Sequence, residues 1–278
     1  MFISPMLLHK TDPFDNEDWL TELKLDGIRL VYSNEDKIQM FTRHNNEVSL
    51  KFPELKGKLP NCYLDGEVVL TNSEGKPDFE ALMSRFMVNN PQKTQQLAGT
   101  FPVTYCVFDI LRFEGKDLTN LPLIKRKEIL NKVLPDLDRV VKVQYVQGQG
   151  KGFFEAIKKQ HLEGIVLKKA NSKYCPGSRS VQWLKAINYS YENVYITGYK
   201  KAGFGWLLAF ENGRPAGLME LGIPNEARNA VRLLISELKV SESKDYIYFR
   251  PALKCMVKYR NLTKAGLLRL PSFVKFMF

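Results

Sequence analysis

The segment Glu22-Leu23-Lys24-Leu25-Asp26-Gly27-Ile28-Arg29 sets a lysine between two leucines, with a carboxylate two residues away on either side. A lysine in apolar surroundings becomes a nucleophile when it loses its proton, and desolvation or neighbouring cations favour that loss. Read as a strand, the alternation places Glu22, Lys24 and Asp26 on one face. The turn-like Asp26-Gly27 allows close backbone approach. Taken alone, the segment also reads as a buried ion pair of Lys24 with Asp26 or Glu22.

Further segments follow in a fixed order. Thr42-Arg43-His44-Asn45-Asn46 comes after a strand-like run. Leu64-Asp65-Gly66-Glu67-Val68 and Val107-Phe108-Asp109-Ile110 carry acids in apolar strands. Glu163-Gly164-Ile165-Val166-Leu167-Lys168 opens another strand with an acid, and Tyr174-x-x-Gly177-x-Arg179-Ser180-x-x-Trp183-Leu184-Lys185 ends the series. One nucleophilic lysine, two strand-borne carboxylates, an aromatic ring and several cations describe a site for a nucleotide phosphate with a divalent metal. Carboxylates together with phosphate oxygens are the usual Mg²⁺ ligand set.

The elements that must position these residues are short β-branched and aromatic runs at 28–33, 37–41, 63–70, 103–110 and 165–168. Between them, Asp78 reads as the N-cap of a helix carrying Phe79, Leu82, Met83 and Phe86, and Pro122 opens a second helix through Leu134. Strand-like runs recur at 194–199, 206–210 and 217–221, and Pro224–Leu238 reads as one helix with Ala227, Val231, Leu234, Ile235 and Leu238 in a stripe. Leu253, Cys255, Val257 and Tyr259 alternate with Lys254, Met256, Lys258 and Arg260, which sets a basic face opposite an apolar one.

The chain has 278 residues and a net charge of +11. Residues 1–189 carry 27 basic and 23 acidic side chains, residues 190–278 carry 14 and 7. That shift marks a boundary between two domains, 1–189 and 190–278, the second a strand-rich module that suits a small OB-type barrel. An excess of positive charge favours a polyanionic partner such as nucleic acid. No apolar run is long enough for a membrane span, and the N-terminal segment shows no secretory pattern. Cys62, Cys106, Cys175 and Cys255 are scattered and only three histidines accompany them, so neither a disulfide framework nor a zinc site is indicated. A reducing, intracellular (cytoplasmic) setting is expected.

The ordered series resembles the motifs of the covalent nucleotidyltransferase superfamily, which contains ATP-dependent DNA ligases, RNA ligases and mRNA capping enzymes. It is most similar to the compact bacterial and bacteriophage ATP-dependent DNA ligases. The resemblance runs from Pro5-Met6-Leu7 through Pro77-Asp78-Phe79-Glu80-Ala81-Leu82 to Leu268-Arg269-Leu270-Pro271-Ser272-Phe273. It implies an α+β chain: a nucleotidyltransferase (ATP-grasp-like) domain with antiparallel sheets, then an OB-fold barrel. It implies ATP as cosubstrate, AMP carried covalently on Lys24, Mg²⁺ with Mn²⁺ as its substitute, and nicked double-stranded DNA sealed by a monomer through a DNA–adenylate. By the same resemblance Glu22 sits near the adenine edge, Phe108 stacks on adenine and Val166 covers its other face. Glu67 bonds the ribose and assists the metal, Glu163 binds the metal, and Lys185 holds the AMP phosphate. Arg29 and Arg43 hold the nick 5′-phosphate and the ribose–phosphate region. The charge of the second domain and the basic face of Lys254, Lys258 and Arg260 point to contact with the DNA phosphates, the other reading of that strand being a solvated sheet edge.

Each of these residues also has a structural reading: Phe108 as a core aromatic, Glu67 and Glu163 as ion-paired acids, Arg43 as a surface turn residue, Trp183 as packing. The chain departs from the family pattern in two places. Where two lysines separated by one residue are usual, it has Lys185-Ala186-Ile187, which leaves Lys168, Lys169 or Lys173 to supply a phosphate contact. At the C-terminus Lys275 alone stands near the position that orients the pyrophosphate. RNA ligase, capping guanylyltransferase and a catalytically inactive nucleic-acid-binding relative are the competing readings.

Overall fold

The computed structural model describes residues 2–57, 59–135 and 137–277. Met1 and Phe278, the outer bounds of the two expected domains, lie outside the described residues. Two compact units divide the chain, Met1–Asn188 and Tyr189–Phe278.

The first unit is built on two sheets. One has the spatial order Leu7–Lys10, Arg179–Ile187, Gly164–Lys169, Asn16–Leu23, Tyr145–Gly148, antiparallel except for the parallel pairing of its first two strands. The other runs Ile38–Thr42, Ile28–Asn34, Cys62–Val69, Thr104–Phe113, Lys116–Asp117, with Val140–Lys142 added in parallel to Thr104–Phe113. Alternation divides each strand between two environments. In Gly164–Lys169, Ile165 and Leu167 turn outward with Ile157 and Phe153 of the helix Gly150–Lys159, leaving Val166 and Lys168 for the opposite face. The outer face of the second sheet (Leu30, Tyr32, Leu64, Val68, Tyr105, Val107) packs with Leu82, Leu130 and Leu134. A separate core of Met6, Leu20, Val31, Tyr63, Leu111 and Trp183 draws on both sheets and so lies between them.

Asp78 caps the helix Phe79–Phe86 by accepting from the Ala81 N–H at 2.9 Å, as the sequence suggests. The helix Leu123–Val133 starts at Pro122. Its buried phase holds Leu123 and Leu130, but also Arg126 and Lys127. Arg126 meets Asp109 in a two-pronged pair (2.8 Å on each prong) with neither side chain exposed. Its remaining donors go to the carbonyls of Leu121 and Ser172. Ser172 Oγ in turn accepts from the Trp183 indole at 3.2 Å.

The second unit is an antiparallel sheet in the order Pro215–Met219, Trp206–Ala209, Ser190–Lys200, Tyr246–Tyr259, Lys239–Glu242, with Ser272–Met277 also paired to Tyr246–Tyr259. Val194, Ile196, Trp206, Leu208, Cys255 and Val257 form its core with Ala227, Val231 and Leu238. The single helix expected at 224–238 is broken into Asn225–Leu233 and Ile235–Leu238. The Leu234 N–H bonds the carbonyl of Val231, three residues back, which tightens the turn and ends the α-helical run. Among the described residues no helix is long and apolar enough to cross a membrane.

Losing one partner of a fully buried ion pair leaves an uncompensated charge, at a cost of about 3–5 kcal/mol. Asp109→Ala should lower the stability of the first unit by that amount in calorimetry. Joint replacement of Asp109 and Arg126 by Leu and Met should cost far less.

Candidate active site

The residues expected to meet the nucleotide, Glu22, Lys24, Arg29, Arg43, Glu67, Phe108, Val166 and Lys185, all line one cavity of about 480 Å³ in the first unit. Glu163 reaches it through Lys24, whose Nζ donates to Glu163 Oε2 at 2.9 Å. Lys24 is not on a strand: the strand ends at Leu23, and the Lys24 N–H bonds the Gly164 carbonyl at 2.9 Å. That bond continues the register of Leu23 with Ile165, and Glu22 and Lys24 line the same cavity. Glu22 pairs with Lys127 and Lys168, and Lys24 turns to Glu163.

Two glycines fix this arrangement. A Cβ on Gly27 would stand 2.2 Å from the Val68 carbonyl and 2.9 Å from Glu67 Cγ, so only glycine lets the lysine-bearing turn press onto the strand that carries Glu67. Gly164, at φ +151°, would place a Cβ 2.2 Å from the Ala186 carbonyl. The strand after Glu163 can therefore lie against Arg179–Ile187 only as it does.

Cations gather at one end. Burial first, and then Lys24, Arg179, Arg43 and Lys10, push the Lys185 pKa below its usual value. This end is poised for an anion, because a bound negative charge relieves that repulsion. Arg43 is exposed at the rim, its guanidinium 3.3 Å from His44 Nε2. Arg29 is less free than expected. It is clamped by both oxygens of Asp65 (2.6 and 2.5 Å), which also accepts the Tyr174 hydroxyl at 2.6 Å. Burial works against its charge, but Asp65, Tyr174 and Glu67 outweigh that and raise its pKa.

The other end is aromatic and acidic. Phe108 is buried with the Arg29 guanidinium 4.5 Å and the Lys168 ammonium 4.1 Å from its ring centre. Lys168 is also 4.4 Å from the Trp183 ring and 2.7 Å from Glu22 Oε2. Lys168 is thus committed to Glu22 rather than to the cationic end, and does not replace the lysine absent at Ile187. Ile187 itself is buried.

Comparison with known proteins decides the family. Residues 5–186 match the family model of the ATP dependent DNA ligase domain. The chain is 45% identical over 277 residues to the SPbeta prophage-derived DNA ligase-like protein LigB of Bacillus subtilis, covering 98% of each. The chain belongs to the ATP-dependent DNA ligase family. It is 29% identical to the bifunctional non-homologous end joining protein LigD of the same organism, of whose length it spans 46%. A solved Lig E DNA ligase superposes with a TM-score of 0.73 at 17% identity, covering 99% of this chain and all of that one, a likeness of fold.

In this ligase the sequence reading missed Arg179, which lines the cavity, and missed Lys127 and Asp65, which lie outside the lining and hold Glu22 and Arg29. Lys127 had a signal: with Arg126 it occupies the apolar phase of its helix between Leu123 and Leu130. In the second unit, Lys254 and Lys258 stand on the sheet face opposite Cys255 and Val257. Lys254 is held by Glu211, and Lys258 lies 5.1 Å from the Tyr189 ring. Arg260 follows the strand, its N–H on the Arg269 carbonyl. Lys275, paired in register with Met256, lies on the last strand of this unit.

Glu67 gives the ligase a pH signature. Burial pushes its carboxyl up to about 7, with Arg29 and Lys24 offsetting only part of the shift. The folded state therefore holds this proton between about pH 4.5 and 7, where the unfolded chain has lost it, so the Glu67 contribution to stability falls as pH rises through that window. Measured without nucleotide and in chelator, Glu67→Gln should raise the melting temperature relative to wild type more at about pH 8 than at about pH 5.

Proposed function

We propose that the chain seals nicks in duplex DNA through a covalent Lys24–AMP intermediate and a DNA–adenylate. The observation that carries this is the convergence of Lys24, its partner Glu163, Glu67 and Lys185 on one part of a cavity that also holds Phe108 and Glu22, with Val166 between Lys185 and Glu22. In this reading a purine lies between the Phe108 ring and Val166, both in the cavity lining, and its phosphates extend to the cationic end. Lys24 Nζ attacks the α-phosphorus and pyrophosphate leaves. The AMP then passes to the 5′-phosphate of the nick, and the 3′-hydroxyl attacks that phosphate and expels AMP. Such transfers rest on positioning and charge neutralisation. Lys185, Arg43 and Arg179 supply these at the phosphate, and Phe108 and Val166 hold the base.

The carboxylates of this end fit Mg²⁺, or Mn²⁺ in its place. Among the described residues no group of three or more metal-ligating side chains forms a cage. Mg²⁺ is commonly held by one or two carboxylates plus substrate phosphates rather than by such a cage. Glu163 and Glu67 would hold it, and it would neutralise charge on the phosphate oxygens.

In this reading the first unit is the adenylation domain and the second an OB-type barrel, joined at Asn188 and Tyr189. The monomer grips duplex DNA with Lys254, Lys258 and Arg260, and Arg29 and Arg43 serve the nick phosphate. Arg29 does so from within its Asp65 clamp, as an oriented partner rather than a mobile one. A sealing comparison of nicked DNA against nicked RNA separates this reading from an RNA ligase.

Lys24→Ala should abolish transfer of label from α-labelled ATP to the protein, and Lys24→Arg should fail as well, because a guanidinium stays charged at any working pH. Label on either variant removes Lys24 from the role. For the second unit, neutralising Lys258 and Arg260 should lower the salt slope of nick binding by roughly 0.9 per lost phosphate contact, measured on pre-adenylated protein. Lys254→Ala should lower it less, since Glu211 already offsets that charge. An unchanged slope in all three places the DNA on another surface.

A further inference from the structure

Glu22 is 2% exposed, and two ammonium groups reach it: Lys168 at 2.7 Å from Oε2 and Lys127 at 2.5 Å from Oε1. Lys168 lines the cavity beside Phe108 and Trp183. Lys127 is absent from the cavity lining. It arrives from the helix Leu123–Val133, with its ammonium 5.4 Å from the Tyr145 ring. The cluster thus buries one negative and two positive charges.

A second buried lysine is costly, and a single Lys168–Glu22 pair would be neutral without it. What it changes is the geometry and the division of charge. A lone pair closes on itself, each group saturating the other. With Lys127 on the far oxygen, the carboxylate is fixed from two sides, and its attraction is shared. An ionised carboxylate has about four acceptor positions, so two lysines leave capacity unused. The wall then shows the cavity an acceptor and a donor 2.7 Å apart, Glu22 and Lys168. That pair complements a base carrying an exocyclic amine beside a ring nitrogen, as adenine does. A carbonyl at the amine position, as in guanine, would face the carboxylate with like polarity.

We infer that Lys127, a residue outside the cavity, is a positioning residue that sets the choice of base by holding Glu22 as a fixed acceptor beside Lys168. The inference deepens the adenylyl-transfer reading and rests on it. The charge sharing agrees with Lys168, whose pKa burial lowers to about 8, with Glu22 opposing and Lys127 adding to that shift. Glu22 stays ionised despite its burial because both lysines together outweigh desolvation.

The test is label transfer from α-labelled ATP and GTP, with KM and kcat resolved for each. Lys127→Met should raise KM for ATP about tenfold and reduce the ATP-over-GTP preference in kcat/KM about tenfold, the size expected of a weakened hydrogen bond to a charged group. Its kcat at saturating ATP should stay near wild type, since Lys24 is untouched. Lys127→Arg should retain the preference. In a Glu22→Gln background, Lys127→Met should change the preference no further, because it acts through Glu22. If Lys127→Met does not fold, Lys127→Gln carries the same expectation at smaller size. A variant that melts earlier but keeps the wild-type preference makes Lys127 merely structural and overturns the inference, as does a full additional effect in the Glu22→Gln background. A wild-type chain that takes no label from ATP or GTP overturns the adenylyl-transfer reading itself, a distinct result.

Discussion

Three carboxylates with almost no exposure, Glu22, Asp65 and Asp109, stand in the first unit, and each is matched by a cation from a different element. The rest of the unit depends on these pairings. Asp65 joins the strand Cys62–Val69 to Arg29 on the neighbouring strand and to Tyr174 of a distant loop. Asp109 joins Thr104–Phe113 to the helix that carries Arg126. Glu22 ties that same helix to the other sheet through Lys127. Removing Arg29 or Arg126, or both lysines on Glu22, would strand a buried negative charge, so the gap between the sheets cannot collapse into an apolar core without a large penalty. A cavity of about 480 Å³ persists there because its walls are charged and held in place from behind.

The same pairings explain why the cavity has two unlike ends. Register places Tyr145, Glu22, Val166, Lys185 and Lys10 in one row across five adjacent strands. Strands lie about 4.8 Å apart, so Glu22 and Lys185 are separated by roughly 10 Å. A carboxylate and an ammonium at that distance are too far apart to neutralise one another, and the apolar Val166 stands between them. A slip of one residue in the pairing of Gly164–Lys169 would turn Ile165 and Leu167 into the cavity and bury Val166 and Lys168 against the helix Gly150–Lys159. The outward apolar contacts of Ile165 and Leu167 thus fix the polarity of the inner wall.

Much of this was legible in the sequence. The strands and the Asp78 cap follow from alternation and capping chemistry, and the residues that the family resemblance names for the first unit's site line one cavity or, for Glu163, contact it through Lys24. The illegible parts share a physical cause: they depend on partners distant in the chain. Nothing local says that Lys24 pairs with Glu163, 139 residues on, rather than with Asp26 or Glu22. Nothing local says that Arg29 is clamped by Asp65. The break at Leu234 is a matter of which carbonyl its N–H finds, and hydrophobic spacing is nearly the same for either choice. Lys127 lay at an intermediate level. A charge at the apolar phase of a helix announces that a buried partner exists, but not which one.

The division of labour between fixed and adjustable charges follows from burial. Asp65, Asp109 and Glu22 each meet their cations at short contact distance with almost no exposure, so these pairings belong to the fold. Glu67 and Lys185 are different. Each is raised or lowered first by burial, with its charged neighbours either too weak to restore it or of the same sign. An acid that is reluctant to ionise and an ammonium crowded by other cations both gain from a ligand that brings the missing charge: a cation for Glu67, an anion for Lys185. In the proposed adenylyl transfer, a phosphate accompanied by a divalent metal would bring both at once. Two opposite frustrations within one cavity therefore ask for a single composite ligand, and the surrounding ion pairs keep the walls from relaxing to satisfy either one without it.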